Sequence, residues 1–199
     1  MNPRSLIPDP WCTLSPIDTL ISVDIEASGP VPGEYSMLSL GACVVGALDR
    51  RFYVELAPIN GNADPAAMAV TGFSLEDLAA RGTAPEAAMA AFDRWITEVA
   101  PPGSQPIMVA YPVAFDWMFV AYYFHRFLGR NPFGIAGLDL ASFHAGMTVH
   151  TVGMTDLLGG IDALAATRAP LTHNALDDAL AQARLFEQLL ARRQSGVRG

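Results

Sequence analysis

Between residues 19 and 27 apolar and polar side chains alternate: Ile21, Val23 and Ile25 are interleaved with Ser22, Asp24 and Glu26. β-Branched residues at a period of two predict a buried strand, with side chains two apart on one face. Two more strands are expected at 37–45 and 51–57. Gly46-Ala47-Leu48-Asp49 serves as the hairpin turn between them, and a stiff loop from Gly29 to Gly33 precedes them. Strands joined so closely make an antiparallel meander that begins with the carboxylate strand.

The period then changes. Asp64 is expected to cap a helix with Pro65 at its first position, and Gly72 to end it. Ser74 restarts helical structure and Gly82 stops it again. Thr83 is expected to cap a longer helix over 85–99, with Ala88, Ala91, Phe92, Trp95 and Ile96 facing inward. Residues 106–111 read as a buried strand, 114–128 as a helix apolar enough to lie deep in the fold, and 138–141 as a further strand. Residues 142–155 follow neither period and read as loop, and 156–166 read as a helix. The last helix is expected at 174–193, carried by Leu176, Leu180, Ala183, Phe186 and Leu190. The class is α/β: one domain over 18–193, an irregular lead-in over 1–17 and a flexible tail over 194–199.

Composition narrows the picture. The 199 residues are 51% hydrophobic and 16% charged, which suits one domain with a proper core and excludes disorder over most of the length. A formal charge of −8 argues against a protein that coats duplex nucleic acid with a large basic surface. A nuclease needs only a local channel and a cation, so that class stays open. All twelve basic residues are arginines, which we read as composition bias without functional weight. Cys12 and Cys43 form no C-x-x-C pair, so neither a disulfide framework nor a zinc site is expected and a cytoplasmic setting is the default. Residues 1–16 carry no apolar signal-peptide core, and the longest apolar run, 117–124, is too short to span a bilayer. No membrane partner is expected.

The candidate chemistry starts with Asp24 and Glu26, side by side on the first strand. Buried without a counter-charge, two such carboxylates are destabilising, and a divalent cation removes the difficulty. The alternative is an exposed edge on which the pair does nothing. Asp116 is the only acid between Glu98 and Asp139 and opens the apolar helix at 114–128. It is either a solvated residue favoured by the helix dipole or a buried functional group. In the last helix Asn174 and Asp177 make a capping pair, which leaves Asp178, one step further round, to face the first strand. His173 falls just before that helix, where a lone histidine is ordinarily a solvated or capping residue.

Taken in order, these segments resemble the His-containing branch of the DEDD 3′–5′ exonucleases, which includes the epsilon subunit of DNA polymerase III, ribonuclease T and oligoribonuclease. The first motif is Val23-Asp24-Ile25-Glu26-Ala27-Ser28-Gly29, the second Ala114-Phe115-Asp116, and the third His173-Asn174-Ala175-Leu176-Asp177-Asp178. Ser39-Leu40-Gly41-Ala42 and Val70-Thr71-Gly72-Phe73 also look like the family. One position departs: many members carry Asn a few residues before the second-motif Asp, where this chain has Tyr111.

The resemblance implies a ribonuclease-H-like fold, a mixed five-stranded sheet flanked by helices. It implies that Asp24, Glu26, Asp116 and Asp178 hold two Mg²⁺ or Mn²⁺ ions, hard cations suited to carboxylate ligands, and that His173 is the general base. The expected substrate is single-stranded DNA or RNA with a free 3′ end, and the product a nucleoside 5′-monophosphate. Ala27, Ser28 and Gly29 would let backbone approach the terminal nucleotide, with Met68 and Phe73 as stacking surfaces or ordinary core. The competing function is a polymerase-associated subunit that positions a 3′ end without cleaving it. Ribonuclease T and oligoribonuclease are homodimers, a state open to this chain too, although no segment marks an interface.

Overall fold

The computed structural model of the protein describes residues 18–148 and 172–196. The carboxylate strand, β1 (Asp18–Ala27), is central in a five-stranded mixed sheet. On one side it pairs antiparallel with β2 (Met37–Val44), which pairs antiparallel with β3 (Ala47–Glu55). On the other it pairs parallel with β4 (Gln105–Ala110), followed by parallel β5 (Gly137–Asp139). The expected meander is present, with a tighter turn. Val45 and Gly46 make the connection, Gly46 at φ 86°, so β3 starts at Ala47 and the predicted turn residues from Ala47 to Asp49 are already strand.

Three helices connect the meander to β4. Asp64 caps α1 (Pro65–Thr71) by accepting from the N–H groups of Ala66 and Ala67, and Gly72 ends it in the left-handed region. Ser74 caps α2 (Leu75–Arg81) through the Asp77 N–H. α3 (Pro85–Val99) has the expected bounds but a different start: Ala84 stands at its N-cap, with no side-chain cap bond. Thr83 instead bridges the sheet margin, its N–H donating to Glu55 O and its carbonyl accepting from Ala57 N. Ala88, Met89, Phe92, Ile96 and Val99 are the buried residues of α3, while Ala91 and Trp95 are half-buried.

α4 (Val113–Leu128) follows β4 and is as deeply set as its composition demands. With α3 it covers one face of the sheet, where Phe92, Phe119, Val120, Tyr123 and Phe124 pack on Ile21, Val23 and Ile25. The opposite face is covered by α5 (Leu140–Thr148) and α6 (Ala175–Gly196), through Leu140, Leu185, Phe186 and Leu189. The strand predicted at 138–141 ends at Asp139, because that carboxylate caps two helix starts: Oδ2 accepts from Val113 N and Oδ1 from Ser142 N. Residues 142–148 are therefore helix, not loop. The last helix also runs three residues past its predicted end, to Gly196. The lead-in over 1–17, the helix expected at 156–166 and the end of the tail, 197–199, lie outside the described residues. Among those described, no helix is long and apolar enough to cross a membrane.

Candidate active site

The even positions of β1 face α6. In the ladder with β2, Ser22 lies opposite Cys43, Asp24 opposite Gly41 and Glu26 opposite Ser39, a stripe of small and polar residues beneath the last helix. Gly41 explains how close that helix comes. A Cβ at Gly41 would fall 2.2–2.4 Å from backbone atoms of Ala175 and Leu176, so only glycine admits the first turn of α6 here. The Ser22 hydroxyl donates to the Ala179 carbonyl at 2.8 Å, and Cys43 Sγ lies 3.6 Å from the same oxygen. Asn174 caps the helix through the Leu176 and Asp177 N–H groups, as its sequence position predicts. These contacts set Asp178 over β1.

Asp116 arrives from the opposite side of the sheet. Pairing between β1 and β4 stops at Ser22 and Val109, so β1 projects beyond its neighbour and its later N–H groups lose that partner. Asp116 Oδ1 accepts from Ile25 N at 3.0 Å in the gap. The helix-dipole alternative is thus set aside: Asp116 is 4% exposed and bonded to the carboxylate strand.

Asp24, Glu26, Asp116, His173 and Asp178 all line one cleft of about 460 Å³, within the usual range of ligand sites. The four carboxylates are each 3–9% exposed, so an exposed-edge reading of Asp24 and Glu26 does not hold. One ligand atom from each of Asp24, Glu26 and Asp178 lies within 4.8 Å of the other two. Burial and then the nearby Asp178 charge push the Glu26 carboxyl from 4.5 up to about 7. Burial also raises Asp116 well above the ordinary carboxylate range. The Ile25 N–H opposes that shift and the Glu26 charge adds to it. Side chains that resist ionisation for want of positive charge, with oxygen donors only, fit a hard divalent cation.

Asp178 has a second task. Its Oδ1 accepts from Thr172 N and its Oδ2 from His173 N, both at 3.0 Å. His173 sits at φ 55°, a left-handed conformation that is unusual outside glycine and asparagine, and the Asp178 carboxylate holds it there. The five-residue step between them is therefore a backbone clamp as well as a spacing.

The expected substrate-contacting residues divide. Ala27 lines the cleft. Ser28 is fully buried and structural: its hydroxyl donates to Asn62 O and accepts from Ser36 N, and its own N–H donates to Ser36 O. Gly29 is required by packing, since a Cβ there would meet the Tyr35 ring at 2.3 Å. Met68 and Phe73 are half-buried and absent from the described lining. That wall is formed by Ala66, Ala67, Val70 and Thr71, which helical phase alone puts on one side of α1 with Met68 on the other. Tyr111, Pro112 and Phe115 also line the cleft, so the departing residue Tyr111 reaches the site.

No family model matches the chain. It is 43% identical over 169 residues to the 3′–5′ DNA exonuclease Cap18 of Escherichia coli, covering 85% of this chain and 90% of that one. Solved structures share the fold at lower identity. E. coli exonuclease I in complex with a dT13 oligonucleotide has a TM-score of 0.66 at 17% identity, over 90% of this chain and 42% of that one. The nuclease domain of 3′hExo, a DEDDh family member bound to rAMP, gives 0.65 at 15%, over 89% and 94%. Cell-death related nuclease 4 (CRN-4) gives 0.62 at 16%, over 89% and 65%. This chain thus spans under half the length of exonuclease I and a little under two thirds of CRN-4, but nearly all of its E. coli relative. The sheet is the ribonuclease-H-like one these nucleases share. Identity of 43% over most of both partners goes beyond a shared fold, and it makes this chain a member of the His-containing DEDD family of 3′–5′ exonucleases.

Proposed function

We propose that the protein removes nucleotides one at a time from the 3′ end of single-stranded DNA, releasing nucleoside 5′-monophosphates. The observation that carries this reading is the convergence of Asp24, Glu26, Asp116, Asp178 and His173 on one cleft. The choice of DNA rests on the relative named a DNA exonuclease, and the choice of a single strand on the dT13 complex of exonuclease I.

Asp24, Glu26, Asp116 and Asp178 would hold two Mg²⁺ or Mn²⁺ ions, which when bound acidify water and offset charge on the phosphate. His173, at the cleft margin, accepts a proton from the attacking water as the water oxygen bonds to phosphorus. The bond from phosphorus to the 3′-oxygen of the penultimate nucleotide then breaks. That oxygen takes a proton from solvent and becomes the new 3′-hydroxyl. Val70 and Phe115 offer apolar surface to the terminal base, and Tyr111 adds an aromatic ring beside them.

The test is digestion of a 5′-labelled single-stranded DNA oligomer, with an RNA of the same sequence in parallel. A ladder shortening from the 3′ end, abolished by EDTA and blocked by a 3′-phosphate, is expected, with DNA cleaved faster. Internal cuts in a closed circle, release of label from the 5′ end or full activity in EDTA would refute the scheme. Faster loss of the RNA would overturn the choice of DNA alone.

A further inference from the structure

Gln182 lies on α6 one turn beyond Asp178, outside every family motif, and is fully buried. Its Nε2 is 2.6 Å from Asp24 Oδ1, while its Oε1 is buried with no hydrogen-bond partner among the described residues. The amide turns its NH₂ towards Asp24, whose carboxylate oxygen accepts, and its oxygen away.

Such a group is a poor choice for packing alone. Leucine or methionine would fill similar volume at this fully buried position without burying an unpaired oxygen, which is destabilising. What the amide does provide is a fixed donor to one oxygen of Asp24. With Oδ1 held, rotation of the carboxylate is restricted. The bond also ties β1, which carries Asp24 and Glu26, to α6, which carries Asp178.

We propose that Gln182 is a positioning residue of the metal site, holding the Asp24 carboxylate in ligating orientation before a cation arrives. The inference rests on the reading of these carboxylates as metal ligands.

Gln182→Met keeps the length and removes the donor, and Gln182→Leu removes it with a different shape. Mn²⁺ binding is measured by titration calorimetry without nucleic acid, and thermal unfolding is followed in EDTA. Both variants should bind Mn²⁺ roughly 10–100-fold more weakly, the usual effect of losing a partner behind a ligand. Their metal-free melting temperature should stay within a few degrees of the wild type, because the lost bond to Asp24 and the lost unpaired oxygen act in opposite directions. Turnover should recover towards the wild-type rate at high Mn²⁺, which separates weakened binding from a damaged fold. Unchanged Mn²⁺ affinity with a lowered metal-free melting temperature, or failure of both variants to fold, makes Gln182 structural and overturns the proposal. If the wild type binds no Mn²⁺, the metal-site reading falls first and this inference with it.

Discussion

The two walls of the cleft are built in opposite ways. The carboxylate wall is buried, drawn from both faces of the sheet, and fastened by Ser22 to the Ala179 carbonyl, by Ile25 N to Asp116 and by the glycine contact at Gly41. The α1 wall has no buried residue, presents Val70 at 51% exposure, and is held by its caps and by Asp64 N donating to Ser28 O. The difference matches what the proposed function asks of each side. Like charges within 4.8 Å repel and stay together only where packing leaves them no alternative. A surface that meets bases through apolar contact tolerates small displacement. The exonuclease therefore confines its strain to one wall.

Breaking the carboxylate wall should have the largest effects, and two of its members should separate function from stability. Glu26→Gln and Asp178→Ala should each cut turnover by at least the roughly 10²–10⁴-fold expected from losing a general base, with Mn²⁺ binding lost in calorimetry. Their metal-free stabilities should move in opposite directions. Glu26→Gln removes a charge that burial and Asp178 oppose, so its melting temperature in EDTA should rise above that of the wild type. Asp178→Ala removes the acceptor of the Thr172 and His173 N–H groups, so its melting temperature should fall.

The same repulsion gives a pH signature. The Glu26 carboxyl is raised from 4.5 to about 7 in the folded chain, so across that window the unfolded chain gives up the proton first. Stability in EDTA should then decline as pH rises through the window, and unfolding scans at about pH 5 and about pH 8 will measure it. A divalent cation should reverse the trend, because it favours the ionised form.

His173→Ala comes next in size. Turnover should drop by roughly 10²–10⁴-fold while Mn²⁺ affinity stays close to that of the wild type, since His173 is no ligand in this scheme. Near-normal turnover at saturating Mg²⁺ would remove it from the mechanism. Gly41→Ala tests the mounting of α6. With backbone 2.2–2.4 Å from the new Cβ, the helix has to shift. We expect a loss of about 1–3 kcal/mol by denaturant unfolding, together with reduced activity at temperatures where the variant is folded. Wild-type turnover in a folded Gly41→Ala protein would show that Asp178 tolerates displacement.

Changes to the α1 wall should be the mildest. Asp64→Ala removes a helix cap worth about 1 kcal/mol, and Val70→Ala trims exposed apolar surface. Both should appear as a few-fold rise in KM with kcat nearly constant. A collapse of kcat in either would mean that α1 takes part in the chemistry.

Much of this molecule is written in short-range sequence. The alternation from Ile21 to Glu26, the Asp64-Pro65 start, the Gly72 stop and the Asn174 cap act over six residues or fewer, and each element appears where those signals put it. The phase of α6 was likewise enough to aim Asp178 rather than Asp177 at β1. Other features depended on partners far along the chain. Thr83 left its cap position for a bridge to the sheet margin, and Asp139 turned a predicted strand end into the start of two helices. Gly41 reads locally as a weak strand residue, and only the approach of Ala175 and Leu176 gives it a purpose. Gln182 carries no signal at all, because its partner Asp24 stands 158 positions earlier. Local propensity and periodicity determine which faces are apolar and where elements begin. Which side chains then touch is decided by strand register and helix packing, since burial makes every polar group answer to whatever lies opposite it.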